Sequence, residues 1–145
     1  MAIHDCEDVA EYIAKNYPKA KQIVEAGIGA ETCVFEKLKE KSFNIIALDL
    51  KSADLNVIKI NIEKEHDSAA EMRKMLEVFQ GAELIYAIRP NPELTEALIE
   101  IAKQVKADLL IRPFATDEKP EEMKLVNYKR ARMWIINKGQ DKQLS

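Results

Sequence analysis

Gln22-Ile23-Val24-Glu25-Ala26 runs directly into Gly27-Ile28-Gly29, a short apolar stretch broken by one carboxylate and ending in two glycines one residue apart. A strand that stops in such a turn brings backbone amides close to a ligand without side-chain obstruction. The helix that follows then offers its positive end to a negative group. Twenty residues after Gly29 stands Asp49, at the carboxyl end of a second apolar run, 43–48. The continuous hydrophobicity of that run and its adjacent isoleucines read as a buried strand. Strand, glycine turn, helix, and strand with a terminal carboxylate form the opening half of an open α/β sheet.

The same alternation extends in both directions. Upstream, Cys6, Val9, Tyr12 and Ile13 recur at helical spacing over 5–16, and Tyr17-Pro18 marks the exit. Between the turn and the second strand, Val34, Phe35 and Leu38 give one face to a helix ending near Lys41. A more polar third strand, 55–60, follows Asp49 closely. A parallel crossover ordinarily takes a dozen or so residues, so this strand is either short and displaced or antiparallel.

Ser68 and Glu71 have capping-box spacing before Met72, Met75, Leu76 and Phe79, and Gly81 breaks that helix ahead of the strand 84–88. Asn91 caps the next helix with Pro92 in its first turn, and Leu94, Ala97, Leu98, Ile101, Ala102 and Val105 form its apolar face. Residues 109–111 read as a buried strand, and 125–128 with 133–136 as an antiparallel hairpin in which Arg130 stands where a glycine is common. The expected fold is a single Rossmann-like domain over 1–140, an open, mostly parallel sheet with a C-terminal antiparallel hairpin, followed by a polar tail, 141–145.

Composition narrows the function classes. At 145 residues one domain can bury roughly 70% of its unfolded surface without staples. With 22 Lys and Arg against 25 Asp and Glu, the net charge of -3 argues against broad nucleic-acid wrapping or attachment to an anionic membrane. Cys6 and Cys33 lack paired-motif spacing and sit on predicted apolar helix faces, where packing is expected ahead of a catalytic or redox role. The first residues do not form a signal peptide, so a reducing cytoplasm is expected. No apolar run approaches the roughly 20 residues of a membrane span. His4 and His66 have no diagnostic ligand spacing, so no metal is expected.

Thr32 stands where a dinucleotide turn, Gly-x-Gly-x-x-Gly, needs its third glycine, which lowers the weight of NAD. Glu25-Ala26-Gly27-Ile28-Gly29-Ala30-Glu31 instead resembles the first motif of the S-adenosylmethionine-dependent methyltransferases with a Rossmann-like fold. It matches their acidic residue and first two glycines and departs at Glu31. The resemblance implies S-adenosylmethionine as cofactor, with Glu25 helping to orient the methionine amino end and Gly27 and Gly29 giving backbone access. Asp49 would hold the ribose, and Asn61 or Glu63 would approach the adenine. Tyr86 is a candidate for the same crevice, or an inward aromatic supporting its strand. Where that class often has Pro-Pro-Tyr after an acidic or amide residue, this chain has Ile88-Arg89-Pro90-Asn91-Pro92, so the usual amino-methylating motif is missing.

The chain is also similar, over 5–138, to a family of short, uncharacterised archaeal proteins that look like trimmed methyltransferase cores. The similarity runs through the glycine turn, Ala47-Leu48-Asp49, Tyr86 to Leu94 and Leu125-Val126-Asn127-Tyr128.

Ile88-Arg89-Pro90 and Ile111-Arg112-Pro113 end two predicted strands with the same three residue types. Adjacent parallel strands would place Arg89 and Arg112 along the ligand crevice, where each guanidinium can take a phosphate or carboxylate in bidentate fashion. The alternative is a pair of surface charges answering Glu93 and Asp117. Lys129, Arg130 and Arg132 either recruit an acidic partner or RNA, or simply charge a hairpin. The enzyme expected from these residues transfers methyl from S-adenosylmethionine to an anionic small molecule or a nucleic-acid component, with no catalytic base identified. The contrasting expectation is a non-catalytic adenosine-nucleotide binding and assembly module.

Overall fold

Ile23–Ala26 forms β1, and all four of its residues are buried because it is flanked by strands on both sides and covered on both faces. The computed structural model describes residues 4–29, 31–49, 57–59, 73 and 76–137. The other strands are β2 (Ile45–Asp49), β3 (Val57–Lys59), β4 (Leu84–Ile88), β5 (Asp108–Arg112), β6 (Lys124–Tyr128) and β7 (Ala131–Ile136). They make one seven-stranded sheet in the order β3-β2-β1-β4-β5-β7-β6. Strands β1 to β5 pair in parallel. β7 runs antiparallel to both β5 and β6, so β6 regains the common direction. The architecture is the expected one.

β3 is parallel and short, and its register explains how so short a connection suffices. Val57 lies opposite Ala47 and Lys59 opposite Asp49, so the chain leaving Asp49 has to drop back only two residues before pairing again. That return is about 7 Å along the strand and 5 Å across, within reach of a few extended residues. The remainder of the expected strand 55–60, the capping box at Ser68 and Glu71, and the tail lie outside the described residues.

Two apolar layers hold the helices. α1 (Cys6–Asn16) and α2 (Cys33–Glu40) place Val9, Ile13, Val34 and Leu38 against Ile23, Ile45, Leu84 and Leu110. On the other face α3 (Pro92–Val105) places Leu98, Ile101 and Ala102, with Phe79 beside them, against Val24, Ala26, Ile85 and Leu109. α3 is capped as expected. Asn91 accepts the Leu94 amide at 2.8 Å, Pro92 occupies the first turn, and Lys106 leaves the helix in the left-handed region.

Two expectations change. Cys6 and Cys33 are disulfide-bonded, not separate packed thiols, because the first turns of α1 and α2 meet on one face of the sheet with the two Cα atoms 6.1 Å apart. Sequence spacing could not report that proximity. In the hairpin, Lys129 takes the positive φ of 53°, while the Arg130 amide donates to Asp8 of α1 at 3.1 Å. An anchored amide thus replaces the flexible glycine.

Candidate functional site

Strand order reverses between β1 and β4: the chain proceeds from β1 to β2 and β3 on one side, and from β4 to β5 on the other. Side chains and loops at the carboxyl ends of those two strands border the crevice where open α/β sheets receive ligands. The glycine turn lies there. Gly27 and Gly29 have φ of 67° and 53°, in the left-handed region that side chains disfavour. A Cβ on Gly27 would stand 2.9 Å from Leu94 Cδ2, the end of a flexible side chain in the first turn of α3 that can move aside, so φ is what favours glycine there. At Gly29 only the dihedral imposes it, since the nearest atom to such a Cβ is 4.0 Å away. Between them the Ile28 amide donates to the Leu48 carbonyl at 2.9 Å, pinning the turn to the end of β2.

Glu25, one residue before the end of β1, is 0% exposed. The Tyr86 hydroxyl, on the register-paired residue of β4, donates to Glu25 Oε1 at 2.5 Å. Glu25 Oε2 is buried with no hydrogen-bond partner among the described residues. Burial raises this carboxyl from its ordinary 4.5 to about 8; the Tyr86 hydrogen bond works against the rise and the neighbouring Glu31 charge adds to it. Burial, the Glu25 charge and the same hydrogen bond also push Tyr86 well above the usual phenol range. At neutral pH the pair therefore holds a proton on Glu25, which is enclosed behind the turn and is not among the residues that border the adjoining cavity. Tyr86 is a fully buried core residue whose hydroxyl contacts Glu25.

A cavity of about 650 Å³ adjoins the turn, bordered by Gly27 to Gly29, by Glu31, Thr32, Cys33 and Glu36 around the start of α2, and by Ile88, Arg89 and Phe114. Glu31 faces inward. Its Oε1 accepts the Cys33 amide at 3.1 Å, serving α2 where Thr32 supplies no side-chain cap, and its Oε2 lies 3.8 Å from Arg89 Nη2. Arg89 sits 5.6 Å from the centre of the Phe114 ring. Arg89 has φ of 50° although proline follows it, a conformation held by its amide donating to the Arg112 carbonyl at 2.6 Å. Non-glycine residues in that region cluster at functional sites. Phe114, 46% exposed, was not singled out from the sequence. The available signal was an aromatic immediately after a strand-ending proline, at the head of a polar segment.

The two arginines do not act as a pair. β4 and β5 are adjacent and parallel, but Arg112 is in register with Ile88, one residue short of Arg89. Its guanidinium is forked onto Asp5, 1% exposed, with Nε at 3.2 and 3.1 Å and Nη2 at 2.9 Å, while Nη1 donates to the Pro113 carbonyl. Asp5 stands at the start of α1, so Arg112 ties α1 to β5 and Arg89 alone borders the cavity. Asp49 ends β2 on the same edge of the sheet, half-buried and outside the cavity's lining. Asn61, Glu63 and His66 lie outside the described residues. In the hairpin, Lys129 pairs with Glu11 at 2.6 Å and Arg130 with Asp8 at 3.1 Å, so both cations are engaged by α1. Among the described residues, no helix is long and apolar enough to cross a membrane.

Known proteins resemble this chain at two levels. Among solved structures, an S-adenosyl-L-methionine methyltransferase from Silicibacter pomeroyi superposes with a TM-score of 0.58 at 14% identity, covering 91% of this chain and 90% of the other. An S-adenosylmethionine-bound amino pentose methyltransferase from Micromonospora echinaspora superposes with a TM-score of 0.51 at 14% identity, covering 89% and 61%. At such identities the likeness concerns the fold, which is Rossmann-like and resembles that of these methyltransferases.

Sequence relatives are nearer. A UPF0146 protein of Pyrococcus furiosus is 39% identical over 130 residues, 89% of this chain and 97% of the relative. One from Archaeoglobus fulgidus is 34% identical over 136 residues, 90% and 93%. The model of the uncharacterised protein family UPF0146 matches residues 6–138, and this chain belongs to that archaeal family.

Proposed function

We propose that the crevice at the ends of β1 and β4 binds S-adenosylmethionine and that the protein transfers its methyl group. The observation that supports this most is Glu25. It is a buried acid, protonated at neutral pH, with an unpartnered oxygen, two residues before the left-handed Gly27-Ile28-Gly29 turn on the switch-point strand. A cation brought near an uncompensated carboxyl is favourable, and S-adenosylmethionine carries both a sulfonium and an ammonium. The structural neighbours that are methyltransferases of this cofactor add weight.

The residues present fit the group. Gly27 and Gly29 would admit it along the backbone, and Asp49 would accept from its ribose hydroxyls. Arg89 and Glu31, paired with each other at 3.8 Å on the cavity wall, would exchange that contact for the carboxylate and ammonium of the methionine end. When bound, the cofactor supplies an electrophilic methyl on a sulfonium. The protein's task is then alignment of the acceptor and exclusion of water, which Ile28, Ile88 and Phe114 serve. With Arg112 committed to Asp5, the expected two-arginine site for an anionic acceptor is not retained.

Calorimetric titration with S-adenosylhomocysteine, S-adenosylmethionine and NAD tests the cofactor class. The adenosyl sulfur ligands should bind more tightly than NAD, and Asp49→Ala should weaken them by about 1.5 to 3 kcal/mol, the worth of a charged hydrogen bond. Preference for NAD would contradict the assignment. A second reading, binding without transfer, is favoured by the engagement of Glu31 with both the Cys33 amide and Arg89, which ties up a carboxylate that could otherwise serve as base. Detection of a methylated product would reject it.

A further inference from the structure

A second cavity, of about 750 Å³, lies on the α3 side of the same sheet edge, where Pro90, Pro92 and Thr95 face the chain between β5 and β6. Ile88 and Arg89 border the first cavity and Pro90 the second. The second is lined by the carboxylates of Glu96, Glu100, Asp117, Glu118, Glu121 and Glu122 and by one cation, Lys119. The Lys119 ammonium, held by the Pro120 and Met123 carbonyls at 3.1 and 2.7 Å, offsets only one of these charges, so the wall stays negative. Glu100 lies 3.8 Å from Lys103, and Asp117 accepts the Phe114 amide at 3.3 Å; even with these pairings the sign stays negative.

Acidic side chains alone are ordinarily just solvated. Trp134 sets this group apart. It forms part of the cavity wall, is 3% exposed, and has an indole Nε1 that is buried without a hydrogen-bond partner among the described residues. A buried donor left unsatisfied is unfavourable, and an acceptor oxygen on a ligand relieves it. The indole ring also attracts cations. Among the described residues no three His, Cys, Asp or Glu converge as metal ligands, so the charge is spread along the wall, which suits an extended organic cation better than a metal ion. The start of α3 has the opposite polarity, but Asn91 caps it.

We propose that this cavity binds a small organic cation that bears protonated alkylamines and an acceptor oxygen. The proposal goes beyond the assignment of the first cavity and does not depend on it. Trp134 is the chain's single tryptophan, so its emission reports this site alone.

The test is titration of the full chain with N1-acetylspermidine, followed by tryptophan fluorescence, with N-acetylglutamate as an anionic control carrying the same carbonyl. A saturable change with the polyamine is expected, weakening as salt is added and at least tenfold weaker in the Glu118→Gln, Glu121→Gln, Glu122→Gln variant, whose three substituted positions are exposed. No saturable change, an equal response to N-acetylglutamate, or undiminished affinity in the triple variant would overturn the proposal. Calorimetry with S-adenosylhomocysteine on the same protein reads the first cavity separately. Its failure beside a polyamine response removes only the cofactor assignment, and the converse removes only this one.

Discussion

Glu25 carries a stability signature that can be measured without any ligand. Its folded value near 8 lies above the ordinary 4.5, so between those pH values the folded chain keeps a proton that the unfolded chain has released. Stability linked to this group therefore falls as pH rises from about 4.5 to about 8 and levels off above. Glu25→Gln keeps the shape and cannot ionise. It should raise stability at pH 8 by on the order of 4 kcal/mol and leave pH 4 little changed. Urea unfolding of both proteins at the two pH values checks this; an equal difference at both would remove the buried-acid assignment.

Arg89 gives the opposite separation of roles. Arg89→Gly relieves a left-handed backbone worth about 1 kcal/mol but removes the cation from the cavity. The variant should unfold no more readily than the parent and bind S-adenosylhomocysteine at least tenfold more weakly, as read by thermal melts and calorimetry. Affinity unchanged in a folded variant would return Arg89 to a backbone role. Neither prediction could be framed from the sequence alone: Glu25 and the glycines were visible there, but the hydroxyl of Tyr86 and the inward turn of Glu31 depend on neighbours from other elements.

At the scale of elements, the disulfide between α1 and α2 closes 27 residues of chain around β1. Chain-entropy reasoning assigns such a loop about 3 to 4 kcal/mol. Cys6→Ser with Cys33→Ser should lower the denaturant midpoint accordingly, and dithiothreitol should do the same to the parent but not to the variant. A midpoint indifferent to both would contradict the cross-link. α3 depends on its cap: Asn91→Ala should cost about 1 kcal/mol in the same assay. That helix was legible because Asn91, Pro92 and the apolar stripe all agree locally. The cross-link was not, because it follows from two helices packing on one face. The direction of β3 was open for the same reason, since it rests on a two-residue offset in register against β2.

The whole molecule was legible to the extent that its central strands are continuous apolar runs separated by turn and cap residues. Such runs declare burial on both faces and hence helices on each side. The site was legible only in part. Its turn is written locally, whereas the loss of Arg112 to Asp5 joins residues 107 positions apart, and the second cavity forms only when the chain after β5 folds over α3. The proposed cofactor site is the switch-point crevice.

The most direct test is an amide NMR titration of the full chain with S-adenosylhomocysteine. The expected result is saturable shifts concentrated at residues 27–29, 31–36, 88–89 and 114. Shifts confined to β6, β7 or the far ends of the strands, with the glycine turn silent, would contradict it.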